Sequence, residues 1–278
     1  MAAYNSKLIQ ATFPSPNVLL LSLNRSPVNA FNYALWAELP EHFNRASVDP
    51  DVRCVVVASA LDKGFTAGLD LTDSSLSTTG DDPARTALLL RAHIDDLQNS
   101  ISSIQNCEKP VIAAVHGICF GAGIDLISAA DIRFCSSDKT VFSIKEVDVG
   151  LAADVGSLQR LPRTTGNASL LYELALTARN FGPAEAVQLG LVSRVVHGGR
   201  EDVLNEALKV AETIAAKSPV ATLGTKHLLN YSREHTVREG LEYTKVWNMA
   251  MLQASDLPAA FEAFSTKRPP TFAKLSKL

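Results

Sequence analysis

The sequence contains no CxxC pair, no HExxH and no Gly-Lys-Ser/Thr phosphate loop, and each absence removes a class of chemistry. Zinc clusters, helical zinc-protease sites and P-loop nucleotide sites all need those spacings. The four cysteines, Cys54, Cys107, Cys119 and Cys135, stand singly in or beside apolar runs. That placement predicts reduced core thiols rather than disulfides or metal ligands. The six histidines are scattered, and His116 in "AAVHGICF" reads as a satisfied core or turn residue. Charge of one sign is not in excess either. A net charge of −3 and a pI near 6.1 leave no basic footprint for nucleic acid or anionic lipid. The longest low-charge run, Val111 to Ala130, is broken by His116, Asp125 and three glycines, so no membrane span is predicted. "MAAYNSKLIQ" lacks the apolar core of a signal peptide. What is left is a soluble globular protein of 278 residues, 46% hydrophobic, with room for one large domain or a domain plus an extension.

Short branched apolar runs alternate with helical patterns. "VLLLSL" (18–23), "CVVVASA" (54–60) and "VIAAVHG" (111–117) are continuous, as strands covered on both faces should be. "IRFCSS" (132–137) and "LVSRVV" (191–196) are weaker strand candidates. "NYALWAELPEHFNRASVD" and "RTALLLRAHIDDLQNSISSIQNC" carry helical periodicity. Asn32 is placed to cap the first, and Pro40 is expected to kink or interrupt it. Ser74 to Pro83 reads as a polar, turn-rich loop. Beyond about residue 165, segments from "NASLLYELALTA" to "VREGLEYTKVWNMAMLQ" read as helices. The prediction is an α/β core over 1–200 followed by a helical region over 201–278. The chain finishes Ser276-Lys277-Leu278, a tripeptide read by a peroxisomal import receptor, which predicts delivery to the peroxisomal matrix.

Two glycine turns each follow a buried strand. "KGFTAGLDL" (63–71) and "HGICFGAGIDLISAADIRF" (116–134) both lead from small residues to an acid and an apolar run. A helix opening near Gly121 would leave its first N–H groups without intrahelical partners, ready for a partial negative charge on oxygen. One such turn means only close helix–strand packing; two could each lend an N–H to the same oxygen and form an oxyanion hole. Neither turn gives the full GxGxxG with its acid, so dinucleotide binding has little support. Asp125 is the only charge between Lys109 and Asp131. Alone it would be explained by the helix dipole. "KEVDVGLAADVG" (145–156) then places Glu146, Asp148 and Asp154 in apolar company, where carboxylates are costly to bury unless paired or used. A shared pocket for proton transfer accounts for both.

These stretches, with "FSIKEVDVGLAADVGSLQRLPRTTGN" and "LTARNFGPAEAVQLGLVSRVV", resemble the crotonase (enoyl-CoA hydratase/isomerase) superfamily from about residue 18 to 270. "GIDLISAADIRF" followed by "KEVDVGLAADVGSLQRLP" is most similar to its Δ3,5-Δ2,4-dienoyl-CoA isomerase branch, which carries a further acid in the "LAADVG" segment. The resemblance implies an α/β fold, a spiral of ββα repeats with a helical C-terminal region that builds homotrimers or homohexamers. It implies an acyl-CoA thioester as substrate, with coenzyme A arriving as part of it and no other cofactor or metal. The oxyanion hole is then Leu69 N–H and Ala122 N–H; a positive φ at Ala122 would strain it.

The same resemblance implies that the family's paired glutamates are here Asp125 and Glu146, with Asp154 as the third acid. We expect Glu146 to be the base at C2 and protonated Asp154 the donor at C6, with the reverse assignment open. Asp125 would orient the pair, and Asp148 would be structural or solvated. Coenzyme A contacts are expected from Ala30 in "RSPVNAFN", from the turn Thr66, Ala67, Gly68, Leu69 and Asp70, from Gly123, and from Lys267, which a neighbouring subunit would present. The alternatives are a Δ3-Δ2-enoyl-CoA isomerase or an enoyl-CoA hydratase and, outside catalysis, a scaffold or RNA-binding relative.

Overall fold

Every residue of the strand Cys54–Ser59 is buried, and the reason lies in what covers its two faces. Val55 and Val57 point into one apolar cluster with Trp36, Leu39 and Ile101. Cys54, Val56 and Ala58 point into a second with Val203, Ala207, Ala211 and Ala215. Successive strand side chains alternate between faces, so a strand sandwiched between helices must be apolar throughout. The computed structural model of the chain describes residues 4, 6–73 and 80–276. Among them the strands are β1 (Ile9–Ser15), β2 (Val18–Leu23), β3 (Cys54–Ser59), β4 (Gly64–Thr66), β5 (Val111–Val115), β6 (Ile118–Phe120), β7 (Ile132–Ser136), β8 (Val141–Ser143) and β9 (Arg194–Val196). The helices are α1 (Tyr33–Val48), α2 (Pro83–Asn106), α3 (Ala122–Ala129), α4 (Ser157–Thr164), α5 (Ala168–Thr177), α6 (Pro183–Leu189), α7 (Arg200–Ala215), α8 (Pro219–Ser232), α9 (Val237–Met251) and α10 (Asp256–Thr266).

The strands divide between two sheets. The large sheet has the order β1-β2-β3-β5-β7-β9, antiparallel at β1–β2 and parallel thereafter; the small one is β4-β6-β8, all parallel. Each ββα unit therefore sends its first strand to the large sheet and its second to the small one: β3-β4-α2, then β5-β6-α3. This is the ββα spiral that the family resemblance implies.

The strands read from continuous apolar runs are all present. Expected interruption of α1 at Pro40 does not occur: the helix runs unbroken from its Asn32 cap to Val48. Proline cannot donate to the carbonyl four residues back. That carbonyl, on Trp36, instead accepts from Ser100 Oγ at 2.5 Å, so the lost bond is replaced from α2. The polar stretch expected as a loop from Ser74 to Pro83 ends inside structure, because Asp82 caps α2 and Pro83 opens it; Ser74 to Thr79 lie outside the described residues. All four cysteines are buried free thiols, and His116 is buried with Nε2 at 2.8 Å from Leu61 O. Within 201–278, α7 covers the second face of the large sheet through the stripe Ala207, Ala211 and Ala215. Lys226 of α8 ties the later helices to the core: Nζ lies 2.8 Å from Asp131 and donates to Lys109 O at 3.0 Å. No described helix is long and apolar enough to cross a membrane.

Candidate active site

Parallel alignment of β4, β6 and β8 puts the three turns that leave them on one edge of the small sheet. Ligands of α/β folds gather in the crevice beyond the carboxyl ends of parallel strands. Here that edge carries Ala67-Gly68-Leu69, then Gly121-Ala122, then Lys145-Glu146. The first two turns are nearly in contact: a Cβ built on Gly68 would stand 2.8 Å from Phe120 O and 3.6 Å from Gly121 Cα. One built on Gly121 would lie 3.5 Å from Glu146 Oε1. Gly68 (φ +89°) and Gly121 (φ +49°) take the left-handed conformations that these approaches need. Ala122 is not among the positive-φ residues, so the strain that alanine could have brought there does not arise.

The turns leave two donors unused. Gly68 N–H donates to Thr66 Oγ1 at 3.1 Å, Asp70 N–H to Phe31 O at 2.8 Å, and Gly121 N–H to Ser143 O at 3.0 Å. Between them, Leu69 N–H and Ala122 N–H have no hydrogen-bond partner among the described residues. Ala122 is the first residue of α3, so its N–H is an orphan of the helix start with the dipole behind it. Buried N–H groups without partners are rare. Two unpartnered N–H groups on adjoining turns, one on partly buried Leu69 and one on buried Ala122, make a receptor for an oxygen that gains negative charge.

The acids converge on the same place. Asp125, in the first turn of α3, is 1% exposed, and its Oδ1 accepts from Ser157 N–H at 2.6 Å. Burial pushes its carboxyl up to about 6, against the pull of the Ser157 N–H and the Arg160 charge. Glu146 begins a short 3-10 turn, Glu146–Val149, at the end of β8. Burial first, and the Asp125 charge second, push it up to about 7, and its buried Oε2 has no hydrogen-bond partner among the described residues. Asp154 is solvent-exposed on the loop before α4, yet its charge acts on both of the others. Asp148 is exposed, its carboxylate 3.0 Å from Lys145 Nζ.

The expected coenzyme A residues fall into two groups. The segment 25–32 does lie along the Thr66–Asp70 turn. Ala67 N–H donates to Val28 O at 3.0 Å, Phe31 N–H to Gly68 O at 2.7 Å, and Arg25 pairs with Asp70 at 2.7 Å. Ala30 O already accepts from Arg25 Nη1 at 2.7 Å, and Thr66 Oγ1 donates to Asn29 O at 2.6 Å. Those polar atoms brace the turn. Gly123 packs on Thr66, whose Cγ2 would be 2.5 Å from an added Cβ. Lys267 stands apart, exposed at the end of α10, with no hydrogen bond or ion pair to the turns among the described residues.

The Enoyl-CoA hydratase/isomerase family model matches residues 15–275, nearly the whole chain. The protein belongs to the enoyl-CoA hydratase/isomerase family. It is 48% identical to "Delta(3,5)-Delta(2,4)-dienoyl-CoA isomerase, mitochondrial" of Mus musculus, over 99% of this chain and 84% of that one. It is 45% identical to the peroxisomal protein of the same activity name from Arabidopsis thaliana, over 99% of both. Among solved structures, an enoyl-CoA hydratase from Bacillus anthracis matches with a TM-score of 0.86 at 27% identity, covering 96% of this chain and 99% of that one.

In this enoyl-CoA hydratase/isomerase the sequence reading overlooked the residues that hold the acid loop. Arg160 stands between Asp125 and α2, and Gln98, Ser102 and Gln105 form a polar stripe on α2. The available signal was that stripe itself: polar at i, i+4 and i+7 beside apolar Leu97, Ile101 and Ile104 at the same spacing.

Proposed function

We propose that the chain converts 3,5-dienoyl-CoA to 2,4-dienoyl-CoA in the oxidation of unsaturated fatty acids. The observation that carries this reading is the pair of unpartnered N–H groups, Leu69 and Ala122, beside Glu146 with Asp154 in its field. The two isomerase relatives at 48% and 45% identity support it.

With its carbonyl oxygen on the two N–H groups, the thioester enolises readily. Glu146, ionised, takes a C2 proton, and the C2–H pair becomes the C2=C3 bond. The C3=C4 pair moves to C4–C5, and the C5=C6 pair takes a proton from Asp154 at C6. Protons and electrons balance without a redox partner or metal. Each oxyanion donor is worth roughly 10²–10³ in rate and each proton-transfer acid about 10² or more. A carboxyl near 7 suits a base working close to neutrality. Asp125 orients the pair by its charge on Glu146.

Hydration requires two carboxylates on one water. Asp125 is a methylene shorter than glutamate, and Oδ1 is already taken by Ser157 N–H at 2.6 Å, which weighs against that alternative. The test is an absorbance assay offering 3,5-dienoyl-, 3-enoyl- and 2-enoyl-CoA to the wild type and to Asp154→Asn. Dienoyl conversion should be fastest and fall at least about 100-fold in the variant. Faster hydration or 3-enoyl isomerisation, with Asp154→Asn fully active, would overturn the reading.

The region 201–278 is proposed to build a homotrimer or homohexamer. Val237, Leu241, Val246, Met249, Phe261 and Phe264 on α9 and α10 are all at least 65% exposed, which supports burial between copies. Lys267 would then reach a neighbour's coenzyme A phosphate. The compartment is proposed to be the peroxisomal matrix, on the Ser276-Lys277-Leu278 ending; Lys277 and Leu278 lie outside the described residues. The names of the two isomerase relatives point one way each, to mitochondrion and peroxisome. Imaging the full chain with and without the tripeptide decides it.

A further inference from the structure

The loop that carries Asp154 is held at four consecutive residues. Gln98 Nε2 donates to Asp154 O at 2.5 Å. Arg160 Nη1 donates to Val155 O at 3.2 Å. Gly156, at φ +131°, lies so close over the Arg160 guanidinium that a Cβ would collide with it. Ser157 N–H donates to Asp125 Oδ1 at 2.6 Å. Arg160 is fixed in turn by α2, with Nε to Gln105 Oε1 at 2.8 Å and Nη2 to Ser102 Oγ at 2.9 Å.

Packing holds only part of the loop: Ala153 and Val155 are buried, Val155 in the apolar core, whereas Asp154 between them is exposed. Asp154, Val155 and Gly156 themselves line a polar cavity of about 660 Å³, together with Gln98, Arg160 and Arg163 among others. A segment bounded by open, polar space can shift unless hydrogen bonds pin it. A planar guanidinium with three placed bonds is suited to that, since its fork is rigid where a lysine is not.

We infer that Arg160, with Gln98 on α2, is a positioning residue that sets where Asp154 meets the far end of the substrate's conjugated system. It acts on the second proton transfer, and reaches the first only through its charge on Asp125. Glu146 and the Leu69 and Ala122 amides stand on the turns after β8, β4 and β6, held by bonds in which Arg160 takes no part. A proton-transfer group displaced by about 1 Å loses on the order of 100-fold in rate. The polar stripe Gln98-Ser102-Gln105 is thus the template for the distal acid.

This inference rests on the dienoyl isomerase reading, and two readouts in one experiment separate them. The full-length protein is given a 3,5-dienoyl-CoA in D₂O. Exchange at C2 is followed by NMR and conversion to the 2,4-diene by absorbance. Wild-type conversion tests the function itself. Arg160→Gln and Gln98→Met should lose conversion, by roughly 100-fold and roughly 10-fold, while C2 exchange in Gln98→Met, which leaves the Arg160 charge beside Asp125 in place, stays within about threefold of wild type. Arg160→Lys, which keeps charge but loses the fork, should recover little. Gln98 is solvent-exposed, so its variant reports even if Arg160→Gln does not fold. Equal loss of exchange and conversion in Gln98→Met, or full conversion in either folded variant, overturns the positioning role. Absence of wild-type conversion overturns the parent reading instead.

Discussion

Two glycines share a φ of +89° and differ in what surrounds them, which allows strain to be separated from function. Gly68 joins the two turns of the oxyanion hole, and Gly190 ends α6. At either position alanine adopts a left-handed conformation at a cost of about 1–2 kcal/mol. At Gly190 the new Cβ meets its nearest atom at 3.5 Å, an ordinary contact. At Gly68 it would stand 2.8 Å from Phe120 O, so β6 and the first turn must separate. The amide next along the chain is Leu69 N–H. Gly190→Ala should therefore lower the melting temperature by about 2–8 °C and leave the rate alone. Gly68→Ala should lower it by more and cut kcat by about 10²-fold or more, the worth of one oxyanion donor. The assay is steady-state conversion of 3,5-dienoyl-CoA alongside thermal melting of both variants. If Gly68→Ala keeps wild-type kcat, Leu69 N–H does not hold the thioester oxygen.

Further outcomes follow from the acids and from the core. Glu146 must be ionised to act as base, so C2 proton exchange, the step that needs Glu146 as base, should fall about tenfold per unit below pH 7. The Asp125 charge helps to raise Glu146, so Asp125→Asn should move that limb to lower pH; an unmoved limb contradicts the coupling. Both carboxyls are raised above their unfolded values, so they favour the folded state at low pH and cost stability as pH climbs through about 6 and about 7. Urea unfolding at pH 8 should accordingly find Glu146→Gln more stable than wild type, by at most roughly 3 kcal/mol. Ser100→Ala strips the Trp36 carbonyl of the bond that replaces the one Pro40 cannot give, and should cost about 1–3 kcal/mol in the same measurement. Lys226→Met leaves Asp131 without its cation and should cost about 3 kcal/mol or more; under 1 would mean the pair does not anchor α8.

What could be read before the structure tracks how much of each element is expressed in local pattern. β2, β3 and β5 were legible because helices on both faces force unbroken apolar runs. β4, β6 and β8 are three residues each, too short for any period, and they went unseen although they aim the site. Their turns were visible all the same, because close approach demanded glycine at 68 and 121. Pro40 misled because the compensating hydroxyl, Ser100, is 60 residues away in sequence and shows only in three dimensions. Asp125 and Glu146 stood out as acids in apolar surroundings. Arg160 did not, since an arginine near a helix end reads as solvated until its four neighbours are seen to fold around it.

The most direct test is a structure of the protein with a non-reactive 3,5-dienoyl-CoA analogue bound. The thioester oxygen should lie about 2.7–3.1 Å from both Leu69 N and Ala122 N. Glu146 should face C2 and Asp154 should face C6 of the same chain. An oxygen held elsewhere, or Asp154 turned away from the acyl chain, would contradict the account.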